Sequence, residues 1–600
     1  MSSGGLSFSD MGKAATVAGM AREFYQRIGR KYNKPLETQL EPHVAEQVFD
    51  EMIKEAGVTV LKGEPLKNVI KQGPRIHTLI TEKGTRINAK MFIDTTYEGD
   101  LLAAAGVSYS LTREANSQYN ETLNGIQYHE IPQVHFGKVD AIGRRKDRRG
   151  LWDRSIPLDP YRIPGKPESG LLPLIEKGEL GTPGEAAPGV QAYCFRLCVT
   201  DQPANRIPIQ PPADYDPARY EIVARYIQAC QKAGDDMDLR WFTKHDALPN
   251  GKFDFNTAYF GLNYVGGNQG YTEASHTERQ KIIKEHENYA RGLYHFLKTD
   301  PRVPEKVRQQ ISQYGLCKDE FLDNGGWPHQ LYIRESRRMI SDLVMTEHHC
   351  RHTEVAPRSV GLASYGVDIH EIRRIAHEGM MIREGKLLGH TGTRGPYPIG
   401  FEAIVPKASE CNNLLVTFAI SASHVAFGST RMEPVLMILS QSAATAASQA
   451  IDADSPIQEI NYQRLRTQLL ADGQLLDWPS PVKRGQPQAR VITTAEKLPG
   501  IVLDDSAAEY TGGWSESNRQ PSPIGPTYTH DNNKERGKKT ARFSPKIKQT
   551  GDYEVRLLYT WHENRSTKVP VTIQNADGEK NSRRQSKTAR AHQSHPGFSG

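Results

Sequence analysis

Apolar positions along this chain follow three rhythms that divide it into regions. Near the front, Val44, Val48, Met52 and Ile53 share one helical face and Gly57 stands where that helix ends, which predicts an amphipathic helix. Short apolar or alternating runs at 58–61, 69–70, 76–80 and 86–88 read as strands. Residues 90–107 continue as a strand, a polar Gly-containing turn and a helix closed by Gly106. The design returns late in the chain. Residues 413–420 read as a buried strand, and 423–447 as a turn at Gly428 feeding a small-residue helix, capped by Ser429 or Thr430, with Pro434 in its first turn. A helix so placed aims free N–H groups and its positive dipole end at an anionic or electron-rich group. Two such turns predict a shared ligand.

Between them, residues 108–260 are rich in Pro, Gly and charge, and Ile207-Pro208-Ile209-Gln210-Pro211-Pro212 marks extended structure. Helical spacing returns at 216–233 and 278–298. From about residue 495 the rhythm becomes short alternating runs between polar turns, at 501–505, 540–543, 551–559 and 569–573, as in a β-sandwich. After Asp577-Gly578-Glu579 the alternation stops, leaving a polar, basic tail.

Composition narrows the picture. A chain of 600 residues exceeds what one core carries, and no apolar run approaches a membrane span. The net charge of +6 comes without a basic stripe interleaved with aromatics, which argues against nucleic-acid binding. The 6 cysteines, Cys194, Cys198, Cys230, Cys317, Cys350 and Cys411, contain no Cys-x-x-Cys; they read as buried or free thiols rather than cluster ligands. His348-His349-Cys350-Arg351-His352 is dense in ligand-type side chains, but with no second cluster it reads as a solvated helix end, and no metal site is expected. Residues 1–20 are Gly- and Ser-rich without an apolar core, so no signal peptide is legible and the compartment stays open.

The segments 19–25, 92–100, Tyr332-Ile333-Arg334-Glu335-Ser336-Arg337-Arg338, Pro396-Tyr397-Pro398-Ile399, 404–407 and 423–434 resemble the FAD-dependent oxidoreductase family that includes heterodisulfide-reductase-A-like flavoproteins, over roughly residues 1–470. The resemblance implies bound FAD and a two-domain, doubly wound α/β architecture. It also implies that Asp94, Thr95, Glu98, Gly99 and Asp100 of the first turn, and Gly428, Ser429, Thr430 and Met432 of the second, border the FAD. One departure stands out: no Gly-x-Gly-x-x-Gly follows a strand anywhere in the chain, although such flavoproteins hold the pyrophosphate there. The front half of a βαβ unit, on the order of 30–40 residues, is expected to be missing through a misassigned start or a truncation, with weak or no FAD binding as the consequence. The strands beyond 495 resemble the golvesin or xanthan-lyase-associated accessory domain of secreted polysaccharide-acting enzymes, which implies a carbohydrate setting and export. Trp514, Tyr528, Tyr559 and Trp561 are then either a sugar-stacking platform or sandwich core.

The expected partition is a partial FAD-binding domain at 1–107, a substrate or cap domain with helical parts at 108–390, a returning FAD-binding segment at 391–470, a linker at 471–496, a β-sandwich at 497–580 and a disordered or frameshifted tail at 581–600. Oxidising a C–H bond with flavin requires a base and positive charge near the reduced ring. His424 is a candidate base or substrate donor, and Arg431 a candidate for neutralising reduced flavin or gripping an acidic substrate. Asp368 and His370 alternate onto one strand face as a candidate acid–base couple. Tyr332 and Arg334 share a face if extended, whereas Arg337 and Arg338 read as surface or salt-bridged. The function expected is hydride transfer from an organic, carbohydrate-related substrate to FAD and on to an unassigned electron acceptor. The alternative is a secreted polysaccharide-binding or xanthan-lyase-associated protein with a vestigial flavin domain.

Overall fold

The computed structural model describes residues 12–128, 138–139, 145–146, 152–153, 158–258, 260–391, 395–478, 495, 498–517, 524, 528–531, 537–557 and 569–584. The chain divides into two compact units, Met1–Pro481 and Val482–Gly600.

In the first unit, helix α1 (Gly19–Lys31) buries Ala21, Phe24, Tyr25 and Ile28, the i, i+3, i+4, i+7 stripe of a surface helix. Helix α2 (Pro42–Glu55) buries Val44, Ala45 and Val48 beside it, and Gly57 stops it in the left-handed region at φ 64°. The expected strand at 58–61 does not form. Val58, Val60 and Leu61 are exposed, because a strand needs a neighbour for its backbone groups and none lies beside it among the described residues. Strands β1 (Leu66–Gln72), β2 (Arg75–Thr81) and β3 (Arg86–Asn88) form an antiparallel sheet where the alternating runs placed them. Strand β4 (Phe92–Asp94) leads through a turn into helix α3 (Asp100–Ala104).

The middle of the chain is built on a five-stranded antiparallel sheet of β5 (Leu197–Thr200), β6 (Arg206–Ile207), β7 (His245–Leu248), β8 (Lys252–Phe255) and β9 (Gly315–Cys317), in the order β6-β9-β5-β8-β7. Helices Glu221–Lys232 and His276–Thr299 pack with it around an aromatic-rich core including Tyr220, Phe260, Tyr289 and Phe296. The second of these helices opens with a Ser275/Glu278 capping box. Helices α1 and α2 share a core with Cys198 and Cys317 of the sheet and with Ile438.

The chain then returns beside β4. Strand β10 (Val367–Ile369) precedes β11 (Leu414–Val416), which runs parallel to β4 with Leu414, Leu415 and Val416 opposite Phe92, Ile93 and Asp94. Helices α4 (His424–Thr430) and α5 (Glu433–Ala453) follow. The chain is thus mixed α/β, and among the described residues β4 and β11 stand as a two-stranded parallel pair.

The second unit contains three antiparallel pairs: Glu509–Thr511 with Thr540–Arg542, Ser515–Ser517 with Tyr528–His530, and Val569–Asn575 with Gly578–Arg584. Three expectations change here, the first being that residues 501–505 form no strand and leave Ile501 exposed. Residues 551–557 form no strand and leave Tyr553, Val555 and Leu557 exposed, since alternation makes a strand only where something covers its apolar face. Conversely, strand structure does not stop at Glu579, nor is residue 581 the start of a disordered tail. Gly578–Arg584 completes a hairpin, whose ladder uses backbone groups and is indifferent to the polar side chains that broke the alternation. Tyr559, Trp561 and residues 585–600 lie outside the described residues; Trp514 packs against Tyr510 at 5.2 Å between ring centroids.

Candidate functional site

Both turns leave the carboxyl ends of adjacent parallel strands, the position at which open α/β sheets take ligands. In the first turn, buried Asp94 accepts from Thr96 N (2.9 Å), Thr96 Oγ1 (2.7 Å) and Leu102 N (3.0 Å), and Thr96 Oγ1 accepts from Gly99 N at 3.0 Å. Gly99 sits at φ 68°, where a Cβ would lie 2.7 Å from Leu102 Cδ2, so only glycine fits. Glu98 accepts from the Tyr271 hydroxyl at 2.9 Å, and burial raises its pKa. For Asp100 burial opposes ionisation, but the Arg279 guanidinium, at 2.6 and 2.7 Å, outweighs it and holds the carboxyl below its usual range. Thr95 is exposed.

The second turn differs from its expected form. Gly428 lies inside α4, not at a turn, and is small because a Cβ there would meet Ile369 Cγ1 at 2.7 Å. Ser423, rather than Ser429 or Thr430, caps α4 through Ala426 N at 3.2 Å. The chain breaks at Arg431 and Met432, and α5 starts with Pro434 in its first turn and no side-chain cap. Ser429 accepts from the Tyr397 hydroxyl (2.7 Å) and donates to Tyr365 O (2.6 Å). Met432 is core, and Thr430 Oγ1 is buried without a partner among the described residues.

Two acid–histidine couples lie behind these turns. His424 Nδ1 donates to Glu335 Oε1 at 2.8 Å, and Arg338, fully buried, pairs with Glu335 and with Glu114. Arg338 is therefore salt-bridged but not at the surface. Burial works against the Glu335 charge, yet His424 and Arg338 bring its pKa down to about 2. In the other couple, His370 Nε2 stands 3.7 Å from Asp368 Oδ2, and Asn263 Nδ2 donates to His370 Nδ1 at 3.0 Å. Burial, and then the nearby Arg334 charge, push His370 well below its ordinary pKa. Burial of Asp368 is outweighed by His370 and Arg431, which keep it ionised. Arg431 donates to the Tyr332 hydroxyl (3.0 Å) and to Asp368 O (2.9 Å). Gln191 joins the couples, donating to Glu335 Oε2 (3.1 Å) and accepting from His370 N (3.0 Å).

A small cavity of about 10 Å³ sits between the two turns, lined by Tyr97, Ile333, Arg334, Glu335, Phe418, Phe427, Arg431 and Leu436. Tyr97 and Phe418, one from each turn, meet edge to face at 5.1 Å. Of the residues read from the sequence as catalytic, Arg431 lines this cavity, while Asp368 and His370 stand behind it through Arg431 and His424 through Glu335. Of the expected FAD-bordering residues, Asp94, Thr95, Glu98, Gly99, Asp100, Gly428, Ser429, Thr430 and Met432, none is on its lining. The aromatic lining and the acids Glu335 and Glu114 escaped the sequence reading; Arg334 and Glu335 stand inside a motif already singled out, but nothing local marks their partners. The His348–His352 segment is not a solvated helix end: His349 and Cys350 are buried, and His349 Nδ1 accepts from Thr346 N at 3.0 Å. Elsewhere, Glu41, His43 and Glu320 cluster with ligand-type spacing, but Lys252 Nζ already sits among them, 2.6 Å from Glu41 and 2.5 Å from Glu320.

The chain belongs to the FAD-dependent oxidoreductase family, whose model matches residues 1–469. A golvesin C-terminal domain matches residues 501–591. The chain is also similar to a xanthan lyase of Bacillus sp. (strain GL1), 34% identical over 105 residues, which is 17% of this chain and 10% of the lyase. It thus spans about a tenth of that relative's length. No solved structure matches.

The family implies FAD. The donor set around the cavity suits a flavin ring: aromatic walls, two buried arginines, and an Arg334 Nε without a partner. The present volume, by contrast, has room for about one water, so the ring enters only if the lining moves apart.

Proposed function

We propose that this chain is an FAD-dependent oxidoreductase acting on an organic, carbohydrate-related substrate, with its first unit organised as a doubly wound FAD-binding fold around an inserted substrate domain. The observation that carries this reading is the aromatic and cationic cavity at the carboxyl ends of β4 and β11. FAD bound there supplies the hydride acceptor. Arg431 and Arg334 place positive charge where negative charge develops on reduction. His370, kept neutral by burial and by Arg334, faces the Asp368 carboxylate with its Nε2 and steadies it beside Arg431. Asn263 fixes its tautomer by donating to Nδ1, which turns Nε2 toward Asp368. His424, clamped by Glu335, positions the start of α4 against the cavity wall. Purified full-length chain, incubated with FAD and gel-filtered, is expected to retain flavin absorbance with quenched flavin fluorescence; flavin that elutes entirely free overturns the reading.

A second reading is favoured by the closed state of the cavity, the golvesin C-terminal domain and the partial likeness to a xanthan lyase. In it the chain is a secreted polysaccharide-associated protein whose β-rich second unit binds sugar and whose flavin domain is vestigial. Retention on immobilised polysaccharide without flavin uptake supports that reading.

A further inference from the structure

Arg334 differs from the buried arginines around it. Arg113 pairs with Glu384, Arg196 with Asp254, Arg338 with Glu335 and Glu114, and Arg374 with Glu371. Arg334 is 2% exposed, yet no carboxylate lies within 4.0 Å of it among the described residues. Its partners are Ala192 O (2.5 Å), the sulfur of Cys194 (3.1 Å) and the ring of Tyr332 (4.8 Å). Its Nε donates to nothing among the described residues. A buried cation without a counter-charge is costly, and this one lines the cavity that Arg431 also lines. The one carboxylate on that lining, Glu335, has its oxygens taken by His424, Arg338 and Gln191, and Arg431 is paired with Asp368 at 3.7 Å, so the charge left without a carboxylate is that of Arg334.

We propose that Arg334, with Arg431, binds the carboxylate of an organic acid substrate. The planar guanidinium fork matches a carboxylate with two parallel hydrogen bonds. The void has room for about one water, so a carboxylate, like the flavin ring, enters only as the lining moves apart. The proposal rests on reading this cavity as the substrate-facing part of the flavin site, and it narrows the substrate class to acids, uronic acids among the sugars.

The test is calorimetric titration of the full chain in chloride-free buffer with formate, D-glucuronate and D-glucose. Formate and D-glucuronate are expected to bind and D-glucose not to. Arg334→Gln is expected to weaken carboxylate binding roughly 10- to 100-fold. Arg334→Lys, which keeps the charge and loses the fork, covers the case in which the Gln variant fails to fold, and should weaken binding about tenfold. No carboxylate binding by the unsubstituted chain, undiminished binding in the variants, or equal binding of chloride, meaning an inorganic counter-ion only, would each overturn the proposal. Flavin retention measured on the same preparation separates the two readings: flavin kept without carboxylate binding sinks this proposal alone, and carboxylate binding lost with Arg334 in a flavin-free chain sinks the flavin reading alone.

Discussion

The two acid–histidine couples share a residue pairing and differ in nearly everything else. Glu335 and His424 sit 2.8 Å apart with side chains 0% and 2% exposed, and Arg338 completes the charge balance. Asp368 and His370 stand 3.7 Å apart with side chains 26% and 13% exposed. In the first couple both Glu335 oxygens, His424 Nδ1 and the three Arg338 guanidinium nitrogens are committed, so movement leaves buried charge poorly paired. Slack remains in the second, which faces Arg431 and Arg334 at the cavity. On the proposed function, the locked couple is scaffold and the looser one takes part in the chemistry.

The sharpest test of that division is Glu335→Ala, which takes the carboxylate from His424 and leaves buried Arg338 with Glu114 alone. A loss of about 3–5 kcal/mol is expected, read by urea unfolding of the first unit. Asp368→Asn should cost less, about 1–3 kcal/mol, because that couple is looser and its carboxylate a quarter exposed, although Arg431 loses its counter-charge; equal losses at the two sites would break the comparison. Acid adds an independent check. The Glu335 pKa is about 2 in the folded chain and ordinarily 4.5, so its contribution is present above pH 4.5 and disappears as pH falls through that interval. In Glu335→Gln the acid limb of the stability profile should be shallower by this one group.

Next in size is Gly428→Ala, expected to cost about 1–3 kcal/mol by driving a methyl into Ile369. This strains the strand carrying Asp368 and should disturb the second couple before the first. Thermal melts, together with the environment of His370 followed by NMR, would show whether it does.

The same glycine marks the limit of what the sequence discloses. Periodicity placed β1 to β3, β4, β11 and the long middle helices, because helical stripes and two-residue alternation are local patterns. It mistook Gly428 for a turn, since a glycine chosen for close packing and one chosen for a left-handed backbone look identical in a sequence. It also placed a strand at 58–61, where the apolar residues have no neighbour. Arg431, Asp368, His370 and His424 were legible as chemistry-bearing types in a family-like setting. Their partners were not: Glu114 meets His424 across 310 positions and Gln191 meets His370 across 179, and pairings at such separations leave no trace in local spacing.

The smallest expected effect concerns His370 and decides whether its slack has an electrostatic consequence. Burial and the Arg334 charge hold its folded pKa well below 6.5, so the unfolded chain binds more protons than the folded one between those values. Stability from this group is therefore complete above pH 6.5 and lost as pH falls through it, with a slope of at most about 1.4 kcal/mol per pH unit. His370→Gln removes that slope and should leave a flatter profile just below pH 6.5, with little change in stability at pH 8. His245, His286 and His349 are also shifted downward by burial, and they supply a residual slope of the same sign in both proteins. The difference between the two profiles isolates His370. If the profiles coincide, His370 carries its ordinary proton affinity, and the distinction between a locked couple and a poised one reduces to packing.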